Sequence, residues 1–165
     1  MEVKDVTVKD AMTREVKTIL STATLDTAMD VLRQNHISGL PVVDGAFHVV
    51  GVLSEKDISR ALSEALGRSE MGFVDVLLHT TQPSKGPKRR TGGAGADTLD
   101  IIRQVLTNVR VGDVMNQDPV VVTPDATLDV AAGIMSEHNI NRLPVVTRGK
   151  LVGILTRHDV LSAWV

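Results

Sequence analysis

The chain has 165 residues, enough for one domain or two small ones, and its 42% hydrophobic and 23% charged residues are ordinary for a globular protein. A formal net charge of −2 argues against a general polyanion binder, and 2% aromatic residues disfavour a protein that stacks single-stranded bases. The absence of cysteine excludes disulfides, thiolate nucleophiles and cysteine-based metal sites.

An internal duplication organises the chain. Three pairs of similar segments recur at a constant spacing: residues 10–12 with 113–115, 23–26 with 126–129, and 40–43 with 143–146. One residue drops out in the following turn, so that Gly51 corresponds to Gly153. The sequence therefore predicts one repeat at residues 1–66, an inserted segment at 67–108 and a second repeat at 109–165.

Each repeat predicts the same order of elements. An apolar strand (16–20 or 120–123) precedes a helix that begins after Thr24 or Thr127 and has apolar residues at helical spacing. Two β-rich runs joined by a turn follow, and a second helix begins at Ser54 or Thr156. A β-α-β-β-α unit of about 50 residues is small for independent stability. We therefore expect an α/β (α+β) fold in which two such units pack sheet to sheet.

The inserted segment has no counterpart in the duplication. Residues 71–78 predict a short helix, the Pro-, Gly- and Lys/Arg-rich residues 82–96 predict a mobile loop, and 97–108 regain helical spacing. The basic stretch 85–93 lacks the Lys-[Ser/Thr] pair of a phosphate-binding loop at the required distance. We interpret it as a solvated loop, the alternative being a patch for nucleic acid, an acidic partner or ligand phosphates.

One motif occurs at the same place in both repeats: Ser54-x-x-Asp57 and Thr156-x-x-Asp159, each after a strand that contains a glycine. The spacing fits a helix capping box, which needs no ligand. A hydroxyl and a carboxylate at a helix start also suit a ribose diol and a nearby phosphate. The spacing alone does not decide between these two interpretations.

Together these features resemble the CBS domain (the cystathionine-β-synthase repeat), and two in tandem resemble a Bateman module. The resemblance rests on Asp-x-Met, Ala-Thr-Leu, Leu-Pro-Val-Val and Gly-[Val/Ile]-Leu-[Ser/Thr]-x-x-Asp, each present twice across about 6–66 and 109–165. It implies tandem units with pseudo-twofold symmetry and two clefts between them that bind AMP, ADP, ATP or S-adenosylmethionine. It also implies that two modules form a homodimer.

Carried over by position, the resemblance implies that Asp57 and Asp159 accept hydrogen bonds from ribose hydroxyls, while Ser54 and Thr156 contact ribose or phosphate. Lys56 and Arg60 on the first side, and Arg142, Arg157 and His158 on the second, are the candidates to neutralise phosphate. The residues implied to line the adenine are Thr18, Leu20, Ile37, Ser38, Gly39 and Leu40 in the first repeat, and Val121, Thr123, Ile140, Asn141, Leu143 and Pro144 in the second.

The two predicted sites differ in charge. Arg142 replaces Gly39, and Arg157-His158 replaces Glu55-Lys56. Because arginine binds phosphate with two hydrogen bonds and Glu55 would repel it, we expect the second site to bind first. The alternative is that Arg142 is a solvated surface residue.

Catalysis and metal binding find little support in the sequence. The five histidines, His36, His48, His79, His138 and His158, show no metal-ligand spacing, and no nucleophile–base set or carboxylate pair stands out. We expect a non-enzymatic sensor that needs no cofactor besides its adenosine effector and regulates a partner protein. The alternatives are an interaction module with non-functional clefts and, third, an enzyme whose chemistry lies in 67–110. With no signal peptide or long apolar run, we expect a cytoplasmic protein.

Overall fold

A computed structural model describes residues 6–67 and 94–163 of the chain. The expected helix at 71–78, the basic stretch 85–93 and His79 lie outside the described residues. The elements in chain order are α1 (Val8–Ala11), β1 (Ile19–Leu20), α2 (Leu25–Gln34), β2 (Gly39–Val43), β3 (Val49–Ser54), α3 (Glu55–Leu66), α4 (Ala94–Asn108), α5 (Val111–Val114), α6 (Leu128–Glu137), β4 (Arg142–Thr147), β5 (Lys150–Thr156) and α7 (Arg157–Ser162).

The strands follow the predicted pattern with two shortened members, since the strand predicted at 16–20 covers only Ile19–Leu20. In the first repeat β1 pairs in parallel with β2, in a sheet ordered β1-β2-β3. In the second, β4 and β5 form an antiparallel hairpin. The predicted strand at 120–123 is reduced to a single parallel bridge between Val122 and Val145. Pro124, two residues later, has no N–H with which to continue the ladder.

The first helix of each repeat begins where the sequence predicts. Thr24 precedes α2 and Thr127 precedes α6, where the Thr127 hydroxyl accepts a hydrogen bond from the Val130 amide at 3.4 Å. The predicted apolar stripes are buried through Leu25, Ala28 and Leu32 in α2 and through Leu128, Ala131 and Met135 in α6. The helix predicted at 97–108 begins three residues earlier, at Ala94, so the end of the expected loop is helical.

The segment that leads each repeat is bound to the other repeat. The Val8 amide donates to the Ala126 carbonyl (2.8 Å), beside the first helix of the second repeat. In the mirror arrangement, the Val111 amide donates to the Ala23 carbonyl (2.8 Å), beside the first helix of the first repeat. Both valines are fully buried. The duplicated chain therefore exchanges its leading segments, which the repeat pattern alone did not predict.

Two compact units result, and each contains residues of both repeats. One comprises the described residues up to Ser21, Leu40–Val52 and those from Asn116 onward, and its core is built from Val8, Leu128, Leu143, Leu155 and neighbours. The other comprises Thr22–Gly39 and the described residues of Leu53–Met115, in which α4 packs against α2 and α3 and buries Ile102. Among the described helices, none has the length and apolar character to cross a membrane.

A glycine marks the closest approach of the first leading segment to β5. The Thr13 amide donates to the Ile154 carbonyl and the Ile154 amide returns a bond to Thr13, both at 2.9 Å. A Cβ on the neighbouring Gly153 would overlap the Met12 sulfur and lie 3.1 Å from the Thr13 carbonyl oxygen.

We predict that Gly153→Ala lowers the free energy of unfolding by about 1–3 kcal/mol, because the added carbon overpacks this contact. Chemical denaturation monitored by circular dichroism measures it. The matched control is Gly133→Ala inside α6, where nothing lies within 4 Å of the added carbon. Helix propensity predicts a gain of up to about 1 kcal/mol there. Equal effects at the two glycines would contradict the close packing of Gly153.

A second prediction concerns pH. The hydroxyl and the amide of Thr7 both donate to Asp10, and these bonds lower the pKa of the Asp10 carboxyl below its ordinary value of 3.8. Because the unfolded chain then takes up the proton more readily, this stabilisation is present above that value and is lost as pH falls through the lower folded pKa. Urea unfolding of wild type and Asp10→Asn at about pH 7 and about pH 2.5 measures the free energy of unfolding of each. This free energy should fall more between the two pH values in wild type than in Asp10→Asn. An equal fall in the two proteins would contradict a stabilising role of the ionised Asp10 carboxylate.

Candidate functional site

The repeated motif of the second repeat forms a complete capping box. The Thr156 amide and hydroxyl both donate to Oδ2 of Asp159, each at 2.7 Å, and the Asp159 amide donates back to the Thr156 hydroxyl at 3.2 Å. The other carboxylate oxygen, Oδ1, accepts no hydrogen bond from any residue that the structure describes. The capping and ligand-binding interpretations are therefore compatible, since the cap uses only one oxygen.

The hairpin brings the other predicted residues of the second repeat to this cap. Arg142 lies opposite Thr156 in the β4–β5 register. The Arg157 amide donates to the Asn141 carbonyl at 2.9 Å, and its guanidinium reaches the Ile140 carbonyl at 3.5 Å. Val122 bonds to β4 on both sides, donating to Pro144 at 3.0 Å and accepting from Val146 at 2.9 Å.

All the predicted second-repeat residues thus share one compact unit. Val121 and Thr123 flank the buried Val122 and are themselves exposed, as are Asn141 and His158. Arg142 is half-buried, whereas its counterpart Gly39 is buried. The Ser162 hydroxyl lies 3.5 Å from Nε2 of His158. The surface around Asp159 therefore carries two arginines and a histidine.

The first repeat builds the same cap. The Ser54 amide and hydroxyl donate to Oδ2 of Asp57 at 2.8 and 2.7 Å, and the Glu55 amide donates to the Ser38 carbonyl at 3.0 Å. Lys56 is exposed. These residues, with Ile37 and Gly39, share one compact unit.

Thr18 and Leu20 belong to the other unit. There Leu20 pairs with Val43 between β1 and β2, next to the pair of Ile19 with Val42. The predicted adenine-lining residues of the first repeat are therefore divided between the two units, unlike those of the second.

One interaction distinguishes the first cap from the second. A guanidinium nitrogen of Arg60 lies 3.1 Å from Oδ1 of Asp57 and also donates to the Val114 carbonyl at 3.3 Å. Sequence reasoning assigned Arg60 to phosphate and missed this ion pair. The Asp-x-x-Arg spacing in a helix was the available signal, since residues three apart are neighbours on a helix surface.

A metal centre has no support in the described ranges 6–67 and 94–163, where no group of three or more His, Asp or Glu side chains is placed to hold an ion. The charged groups near the two caps are instead suited to hydrogen bonding and to anions.

Comparison with known proteins gives a consistent family. The model of the CBS domain matches residues 4–64 and 111–165. The chloroplastic CBS domain-containing protein CBSX1 of Arabidopsis thaliana is 32% identical over 164 residues, covering 95% of this chain. An uncharacterised protein of Methanocaldococcus jannaschii is 30% identical over 163 residues, covering 94% of this chain and 89% of that protein.

A solved structure extends the similarity to three dimensions. The crystal structure of CBSX2 in complex with AMP shares 30% identity, with a TM-score of 0.66 and coverage of 96% of both chains. The chain spans 63% of the length of each of the two Arabidopsis relatives, CBSX1 and CBSX2.

Two substitutions separate the structural role of Asp159 from any role in binding. Asp159→Ala removes the acceptor of both Thr156 bonds and should destabilise the protein by about 1–2 kcal/mol. Asp159→Asn keeps an amide oxygen for those bonds and should cost less than about 1 kcal/mol. Denaturant unfolding measures both. Equal losses would contradict the cap geometry.

Proposed function

Because the chain belongs to the CBS domain family, we propose that it is a regulatory module that binds an adenosine nucleotide next to Thr156 and Asp159 and does not catalyse a reaction. The observation that carries the proposal is that the two oxygens of the Asp159 carboxylate differ in their hydrogen bonds. One oxygen holds the helix start, while the other accepts no hydrogen bond from the described residues. A fixed carboxylate with one available oxygen is suited to accept a bond from a ribose hydroxyl.

The proposed site continues along the end of the hairpin. The backbone from Ile140 to Leu143 would line the adenine, with Val121 and Thr123 on the adjacent segment. Both flank Val122, which is bonded to β4. Val121 and Thr123 are exposed, so that an apolar and a polar side chain are available to the adenine ring and its edge.

Charge favours a phosphate in the second repeat. Arg142 and Arg157 are cations near the Asp159 cap, and arginine pairs with phosphate through two parallel hydrogen bonds. At the equivalent places the first repeat has Gly39 and Glu55. Glu55 would repel a phosphate, so we propose that the second-repeat site has the higher affinity.

The nucleotide to test first is AMP. The support is the CBSX2 complex with AMP, a structure 30% identical to this chain and similar over 96% of it. ADP, ATP and S-adenosylmethionine share the adenosine group and are the next candidates, because the proposed contacts recognise ribose and adenine.

Regulation requires that the ligand bind one state of the protein, or of its complex with a partner, more tightly than another. We propose that the module works as a homodimer. The second candidate function, a partner-binding module without a ligand, is favoured by two exposed apolar side chains, Val130 on α6 (53% exposed) and Leu161 on α7 (55%). Formation of a homodimer or binding of a partner protein would cover such side chains.

Isothermal titration calorimetry with AMP tests the proposal. Asp159→Asn should weaken binding at least about tenfold, because a hydrogen bond to a charged acceptor contributes about 1.5–3 kcal/mol. The matched variant Asp57→Asn, at the same position of the first repeat, should leave the tighter site unchanged. Equal loss in both variants would contradict the asymmetry.

No binding of AMP, ADP, ATP or S-adenosylmethionine to wild type would reject the sensor and favour the partner-binding module. Sedimentation equilibrium of the same sample would then test whether the module self-associates.

A further inference from the structure

We propose that Arg60 is an intramolecular block of the first-repeat site: it occupies the carboxylate oxygen of Asp57 that a ribose hydroxyl would need. This inference rests on the proposed nucleotide binding and concerns which of the two repeats responds first. It predicts that the first site fills only when the ligand displaces Arg60.

Both carboxylate oxygens of Asp57 already accept a hydrogen bond. Oδ2 accepts both bonds of the Ser54 cap, and Oδ1 faces Arg60 at 3.1 Å. The Asp57 side chain is only 15% exposed, while that of Arg60 is 57% exposed. A ligand must therefore approach the small part of the carboxylate that stays exposed beside the guanidinium, and the more exposed partner of the pair is the arginine.

The second repeat lacks the block. Gly51 corresponds to Gly153 and Asp57 to Asp159, which places Ser162 at the position of Arg60. The Ser162 hydroxyl lies 3.5 Å from His158, and Oδ1 of Asp159 accepts nothing from the described part of the chain. The exchange of Arg60 for Ser162 thus accounts for the different surroundings of Oδ1 in the two caps.

Displacement of Arg60 also has a second effect. The same guanidinium nitrogen donates to the Val114 carbonyl (3.3 Å), at the end of α5. That helix is bound to the first repeat through the Val111–Ala23 hydrogen bond. Filling the first site therefore removes one of the contacts that hold α5, whereas filling the second site leaves this contact in place. The two sites would respond to different nucleotide concentrations with different structural effects.

A reciprocal exchange of the two residues tests the block. In an Asp159→Asn background, which weakens the second site, Arg60→Ser should tighten AMP binding at the first site about threefold to tenfold, the effect expected for removal of a competing, partly exposed ion pair. In the otherwise wild-type chain, Ser162→Arg should weaken second-site binding by a similar factor. Calorimetry on the full chain measures both.

Arg33→Ser in the same background is the matched control. Arg33 pairs with Asp30 at 2.9 Å with the same three-residue spacing on α2, and its side chain is 60% exposed. The Arg33→Ser substitution removes an ion pair of the same spacing from the exposed face of α2 and should leave AMP affinity unchanged.

The outcomes separate this inference from the proposed function. If wild type binds AMP but Arg60→Ser leaves first-site affinity unchanged or weakens it, the block is wrong, and a weakening would make Arg60 a ligand contact. If wild type binds AMP at neither site, the proposed function fails and the block fails with it. Tighter binding in Arg33→Ser would also overturn the block, because the effect would then be one of general charge.

Discussion

The Asp159 carboxylate is the constraint on which the proposed site depends, because one of its oxygens caps α7 and the proposal assigns the other to the ligand. Oδ2 satisfies the Thr156 amide and hydroxyl at the start of α7 and thereby fixes the side chain, so that Oδ1 is held in one position. A carboxylate that is already ordered loses little further freedom when a ligand binds. The structural role of the motif would thus support the binding role that we propose for it.

The exchange of leading segments joins the two repeats of the duplicated chain. Each small repeat is completed by a buried valine from the other half, Val8 or Val111, bonded through the backbone beside the first helix. Thr13 likewise pairs with β5 next to Gly153, where there is no room for a side chain. Each compact unit is therefore built from residues of both repeats, which backbone hydrogen bonds join within that unit.

Sequence periodicity predicted the helices and hairpins well, because the stripe around Leu25 and the alternation in β5 are local consequences of burial on one face. It did not predict the exchange, since the Val8–Ala126 bond joins residues far apart in the chain. The spacing of Ser54 and Asp57 matches that of the second repeat and did not by itself separate the two caps. The pairing of Arg60 with Oδ1 of Asp57 was missed, although the Asp-x-x-Arg spacing on a helix indicated it.

The most direct test of the central claim is a crystal structure of the full chain grown with AMP. We predict that the nucleotide lies at the second repeat, with a ribose hydroxyl within hydrogen-bonding distance of Oδ1 of Asp159 and the Thr156 cap unchanged. AMP bound elsewhere, or bound with its ribose away from Asp159, would contradict the assignment of that oxygen to the ligand.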